Sequence, residues 1–242
     1  MVNNCRFTKK DKEFEFIIQE FSGFKVLRDD FFEGGTKKRA FEKIIWSIPE
    51  SELVYACDYY GHAAYAIALT ALETGKNVML FYLAPKIDTE IFKKTTSLPN
   101  VKYQIVKGAR TQIEASKTAI KYANEHNAKF LPIGLDFSEF GVALQEVVKS
   151  ANIKAPEIWC MGGSGTLGRA LQRAYPSIPV NIVSVGTKNF NGGTNKIYNA
   201  PEKLDDDAEI KPPFNSSPHY DAKVWRFVLK YAKPGAFVWN VA

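Results

Sequence analysis

Two stretches of this chain carry residue types and spacings that could do chemistry. In the first, Gly34 and Gly35 precede Thr36, Lys37, Lys38 and Arg39, and behind them Ala40, Phe41, Ile44 and Ile45 recur with the spacing of a helix face. Adjacent glycines permit a tight turn, so the segment reads as a loop that delivers a lysine to a helix N-terminus. The positive end of a helix dipole disfavours a cation and favours an anion or a neutral amine. Lys37 is thereby placed as an amine that can lose its proton; Lys38 is its nearest rival, and a solvated basic turn is the plain alternative. In the second stretch, Gly162, Gly163, Ser164, Gly165 and Thr166 lie directly between a strand-like run, 157–161, and a helical stripe of Leu167, Ala170, Leu171 and Ala174. Small residues allow close backbone approach, and exposed N–H groups at a helix start can hold a phosphate. Ordinary strand-to-helix turns also use glycine. The Gly-Lys-Ser/Thr ending of a Walker loop is absent.

The elements that must position these loops alternate regularly. Strands are expected over 52–57, 77–82, 101–106, 130–133, 157–161, 180–185 and 236–241, the proline of the fourth favouring its end or an edge. Between them fall helical runs: 63–72, ended by Gly75; a short one over 87–95 with Thr89 as a candidate cap; one through about His126, with Ile113, Ala119, Ile120 and Ala123 on one face; 140–151; 167–174; and 222–231. Such alternation implies an α/β architecture around mainly parallel sheets. Residues 1–22 suggest a short strand or helix packing onto the body, and 187–217, with Asn-Gly-Gly, three aspartates and paired prolines, reads as loop. Arg28, Asp29 and Asp30 look structural, an ion-paired turn that positions the lysine loop. Trp225, Phe227 and Tyr231 read as core.

At 242 residues the chain is long enough for one large or two small domains, and 45% apolar with 24% charged residues is ordinary for a globular protein. Cys5, Cys57 and Cys160 lack metal-like spacing, which argues against a zinc site or a disulfide framework. No run of about 18 apolar residues and no apolar signal core is present, so a soluble, cytoplasmic protein without membrane attachment is expected. The net charge of +6 is spread along the chain, and an anionic small ligand explains it as well as nucleic acid does.

The segment Arg28-Asp29-Asp30 to Gly34-Gly35-Thr36-Lys37-Lys38-Arg39 resembles the Arg-Asp-Asp…Gly-Gly-Asn-Lys-x-Arg-Lys-Leu signature of fold type II pyridoxal-phosphate (PLP) enzymes, in the branch of 1-aminocyclopropane-1-carboxylate deaminase and D-cysteine desulfhydrase. The loop at 162–167 is similar to the Gly-Ser-Gly-Gly-Thr-Leu loop of that family, with serine and glycine exchanged. Gly61-His62-Ala63, Leu131-Pro132-Ile133-Gly134 and Pro218-His219-Tyr220-Asp221-Ala222-Lys223 match it more loosely. The resemblance implies a compact fold type II architecture, with 1–50 and 135–242 as a larger cofactor-binding domain and 51–134 as a smaller α/β domain. It implies PLP joined to Lys37 as a Schiff base, its phosphate on Gly162, Gly163, Ser164, Gly165 and Thr166, His62 near the cofactor ring and Tyr220 near the substrate. The activity implied is a lyase or deaminase acting on a small amino acid, in a homodimer. Departures accompany the matches. Tyr60 and Gly61 stand where the family has Ser-Asn, and Tyr60 is the candidate to replace the lost serine. The family's acidic partner of the pyridine nitrogen would fall near Pro212, and the chain is shortened after Val185. A degenerate relative that binds a phosphate-containing ligand, or a protein or nucleic-acid partner, is the alternative.

Overall fold

The computed structural model describes residues 15–185 and 196–241. Cys5, most of the segment 1–22 and part of the run 187–217 lie outside the described residues. Near the start, β1 (Ile18–Phe21) and β2 (Phe24–Arg28) form an antiparallel hairpin, and α1 (Gly35–Ile44) follows the lysine loop. The next unit is β3 (Glu52–Cys57), α2 (Ala63–Glu73), β4 (Asn77–Tyr82), α3 (Glu90–Thr96), β5 (Val101–Ile105), α4 (Gln112–Glu125) and β6 (Lys129–Leu131). Then come α5 (Ser138–Ser150), β7 (Ile158–Gly162), α6 (Thr166–Ala174), β8 (Val180–Ser184), β9 (Lys196–Asn199), α7 (Val224–Tyr231) and β10 (Phe237–Asn240).

Two sheets result. One has the order β5-β4-β3-β6 and is wholly parallel; the other runs β1-β2-β10-β7-β8-β9 and is parallel except for the β1–β2 pair. Strands buried on both faces must be apolar at every position, and β3 shows how this is used. Leu53, Tyr55 and Cys57 point into the central core, whereas Val54 and Ala56 pack under α4. In β7, Ile158 and Cys160 join the same central core while Trp159 and Met161 face Trp225 and Val228 of α7. The central core therefore joins the two sheets, with Phe41 of α1, Phe140 and Val147 of α5 and Leu171 of α6 filling the space between them.

Several expectations need correcting. Ile113 and Ile120 are exposed; α4 buries Ala115, Ser116, Ala119 and Ala123, because small residues allow the helix to lie close on β3 and β4. Part of 187–217 is strand: β9 closes the edge of the larger sheet beside β8. Tyr231 is 49% exposed, so the aromatic stripe of α7 is only partly core. The terminal strand β10 is an inner strand between β2 and β7. Pro132 does follow an edge strand, β6, and Thr89 caps α3 by accepting a hydrogen bond from Phe92 N. Cys57 and Cys160 are buried free thiols, and no helix among the described residues is long and apolar enough to cross a membrane.

Candidate active site

Parallel strands leave crevices beyond their C-terminal ends. Here the loops after β2, β3, β5, β6, β7, β8 and β10 converge on one cavity of about 590 Å³ between the two sheets. That size suits a cofactor-sized ligand.

The lysine loop is held by a buried network. Asp29, 1% exposed, accepts from Thr36 Oγ1 at 2.5 Å through one oxygen and from Arg39 Nε at 2.7 Å through the other. Arg28 pairs with Asp30 at 2.7 Å, and Asp30 also accepts from Asn240 Nδ2 at 2.8 Å. Trp239 donates its indole N–H to Thr36 Oγ1 at 2.8 Å, which ties β10 to the start of α1. Gly35 has φ +60°, and a Cβ there would fall well inside contact with the carbonyl oxygen of Val241; glycine is what lets the lysine loop lie against the end of β10. Lys37 follows in the first turn of α1 and lines the cavity. Burial lowers its pKa, and the negative charge of Asp221 opposes that shift. Lys38, its rival, points elsewhere and pairs with Glu42 and Glu73.

The glycine loop lies across from it. Gly165, at φ +78°, caps α6 without a side-chain hydrogen bond of its own; the Thr166 N–H reaches Ser164 Oγ only at 3.5 Å, and the next N–H groups of this nine-residue helix face no side-chain cap. Ser164 Oγ and Thr166 Oγ1 stand 2.8 Å apart at the same place. Behind them, a Cβ at Gly134 would strike Ser164 Oγ, so the turn after β6 seats the loop by close approach. Arg169 fastens it from the other side, donating to Ser164 O at 3.1 Å and to Asp136 Oδ1 at 2.6 Å. A set of backbone N–H groups with two hydroxyls and no side-chain cap fits a phosphate group. Together with a lysine in the same cavity whose pKa burial lowers, it fits PLP.

Eight of the residues singled out from the sequence, Lys37, His62, Gly162, Gly163, Ser164, Gly165, Thr166 and Tyr220, line this one cavity. His62 precedes α2, and burial lowers its pKa to about 4, assisted by Lys37 and Lys94, so it is neutral at physiological pH. The Tyr220 hydroxyl approaches Gly163, where an added Cβ would stand 3.3 Å away. Burial raises the pKa of Tyr220 far above its ordinary value, which keeps its proton on. Tyr60 is not brought in: its ring packs against His219, 4.7 Å between centroids, and it does not line the cavity. His126 caps the exposed end of α4, stacked on Tyr122.

Sequence reasoning passed over Asp58, Asp221 and Arg169. Asp58 lies at the C-terminal end of β3 and Asp221 beside Tyr220, and both carboxylates line the cavity. Pro212, where an acidic residue was looked for, does not line it. The signal for Asp58 was available, since it directly follows a buried parallel strand.

No protein-family model and no curated protein matches the sequence. Solved structures do. A structure described as an ACC deaminase homologue superposes with a TM-score of 0.84 over 95% of this chain and 89% of that one, at 14% identity. This chain has the fold of the type II PLP enzymes. The processed form of threonine deaminase isoform 2 from Solanum lycopersicum matches with a TM-score of 0.66 and 11% identity, over 90% of this chain and 74% of that chain. O-acetylserine dependent cystathionine beta-synthase from Helicobacter pylori gives 0.66 and 13% over 94% and 93%. The type II fold thus spans nearly the whole chain.

Proposed function

We propose that this protein binds PLP through Lys37 and promotes elimination or deamination at the amine-bearing carbon of a small substrate, small amino acids being the class that the resemblance implies. The observation that carries the reading is one cavity, at the C-terminal ends of parallel strands, that receives both Lys37 and the uncapped start of α6. Its neighbours by structure, described as an ACC deaminase homologue and a threonine deaminase, support the general kind of chemistry.

PLP, when bound, supplies an electron sink for the bond that breaks at the amine-bearing carbon. The chain supplies the rest. The loop 162–166 binds the phosphate through backbone N–H groups and the hydroxyls of Ser164 and Thr166. Lys37, whose pKa burial lowers, is the amine placed to take the proton from the substrate carbon and to return it. Asp221 limits how far that pKa falls. Tyr220, held protonated, offers a hydroxyl that orients rather than titrates at neutral pH. His62 adds a neutral ring at the start of α2.

The test is the absorption spectrum of the protein incubated with PLP, wild type beside Lys37→Ala, followed by borohydride reduction and peptide mapping. A visible band of lysine-bound cofactor that is lost in the variant, with the label on Lys37, is expected. An unchanged band in Lys37→Ala removes this function for the lysine. A second reading, cofactor binding without turnover, is favoured by one observation, the replacement of Ser-Asn by Tyr60-Gly61. It is distinguished by the band persisting while no amine or amino acid is consumed.

A further inference from the structure

Tyr55 lines the cavity from β3 and is only 2% exposed. Its side chain shares the central core with Leu53 and Leu131, so packing fixes the ring and the hydroxyl cannot turn to open solvent. That hydroxyl accepts from Gly134 N at 3.2 Å, and among the described residues no acceptor takes its proton. Burial raises the Tyr55 pKa, so the proton stays in place at neutral pH. A phenol both accepts and donates; here the accepting side is met and the donating side is not. A buried donor in that state is destabilising, and a bound molecule that brings an acceptor relieves it.

Gly134 fixes where the acceptor would stand. The glycine that donates to Tyr55 also seats the glycine loop: a Cβ on it would strike Ser164 Oγ and lie 3.5 Å from Thr166 Oγ1. Three hydroxyls therefore gather around one residue. Ser164 and Thr166 come from the loop between β7 and α6, on the larger sheet, whereas Tyr55 comes from the smaller one. Donors crowd the same place, since Arg169 reaches Thr166 Oγ1 at 3.4 Å and Ser164 O at 3.1 Å. An anion with several oxygens is the ligand that such a set satisfies.

We propose, resting on the phosphate seat described above, that Tyr55 is a further phosphate-binding residue, its hydroxyl donating to an oxygen of the cofactor's phosphate group from the smaller sheet while the loop 162–166 holds that group from the larger one. The phosphate then ties β3 to α6 across the cavity. Because the phenol is neutral, it adds a directed donor without adding charge.

The test separates the phosphate from the rest of the cofactor. Tyr55→Phe removes the hydroxyl and keeps the ring. In the full-length protein, the dissociation constants of PLP and of pyridoxal, which lacks the phosphate, are read from the absorption band of lysine-bound cofactor, for wild type and variant. The variant is expected to bind PLP at least about tenfold more weakly, as loss of a hydrogen bond to a charged group requires, and to bind pyridoxal as wild type does. Unchanged PLP binding overturns the proposal. An equal loss for both ligands also does, because it would confine the hydroxyl to holding Gly134. A second measurement leaves the bond to Gly134 in place: 3-fluorotyrosine is put in place of Tyr55, and its fluorine resonance is followed while inorganic phosphate is added. A line that moves saturably with phosphate and not with chloride is expected. A line that stays still overturns the proposal even should the phenylalanine variant not fold. The phosphate titration does not involve Lys37. A missing absorption band beside a moving fluorine line therefore refutes the lysine reading alone, and a band present beside a still line refutes the Tyr55 contact alone.

Discussion

Thr36→Val isolates what the buried network does for the lysine loop. The replacement is nearly isosteric, so it opens no cavity, but it deletes a hydroxyl that donates to Asp29 Oδ2 and accepts from Trp239 Nε1. Trp239 is 0% and Asp29 1% exposed, so neither partner can turn to water. Each buried polar group left without a partner costs about 1–3 kcal/mol, which makes about 4 kcal/mol for the pair. That is a large share of the roughly 5–15 kcal/mol by which a domain is stable. For a chain of this length it corresponds to a fall in Tm of roughly 8–16 °C. Thr36→Ser keeps the hydroxyl and loses only a methyl, for which about 1 kcal/mol is expected. Thr96→Val, which removes a hydroxyl that bonds within its own helix at the surface, should move stability by no more than about 0.5 kcal/mol. Urea unfolding followed by tryptophan fluorescence reads all three, Trp239 being one of the four tryptophans that report on unfolding. Because Thr36 adjoins Lys37, the valine variant should also capture PLP more slowly at temperatures where it remains folded. A Thr36→Val loss below about 1 kcal/mol, or a serine variant as unstable as the valine one, would show that the network does not hold the loop.

Three further outcomes are expected. Gly35→Ala meets both the left-handed φ and the carbonyl of Val241, whereas Gly75→Ala, at φ +70°, meets open space; the first should lose at least about 2 kcal/mol more than the second in urea unfolding, and equal losses would remove the close approach as the reason for the glycine. Arg169→Ala frees the carbonyl of Ser164 and should weaken PLP binding by roughly tenfold while leaving pyridoxal, which lacks the phosphate, unaffected; an equal loss for both would place Arg169 outside phosphate recognition. The pH profile of PLP capture tests the lysine. Its neutral form reacts, and Asp221 raises its pKa, so Asp221→Asn should move the midpoint of the capture rate to lower pH; a midpoint that stays or rises contradicts the placement of that charge.

The alternation of strand and helix was legible because parallel strands buried on both faces must be apolar throughout, and runs such as 52–57 and 77–82 matched their strands at both ends. The order of strands was not legible. Nothing local in 236–241 says that it inserts between β2 and β7, because that placement is decided by pairing across more than two hundred residues. β9 was hidden for a similar reason: Lys196 to Asn199 is mostly exposed, so the strand has little hydrophobic pattern and exists by its pairing with β8. In α4, large apolar residues drew attention to the wrong face, since close packing on a sheet asks for alanine rather than isoleucine.

The same distinction explains how the site was read. The lysine and glycine loops are each written in consecutive residues, and both can be found without knowing what lies opposite. The charges that tune them cannot. Matching motif positions one by one makes Tyr60-Gly61 look like a lost serine and asparagine, and makes the absence of an acid at Pro212 look like a missing partner. In three dimensions the carboxylates of Asp58 and Asp221 nonetheless line the cavity. Asp58 supplies an acceptor for the N–H groups of Tyr60 and Gly61, and Asp221 brings a carboxylate within influence of Lys37. Asp58 stands outside the matched motifs, at the end of β3, whereas Asp221 lies inside the 218–223 match, beside Tyr220, where motif matching assigned it no role.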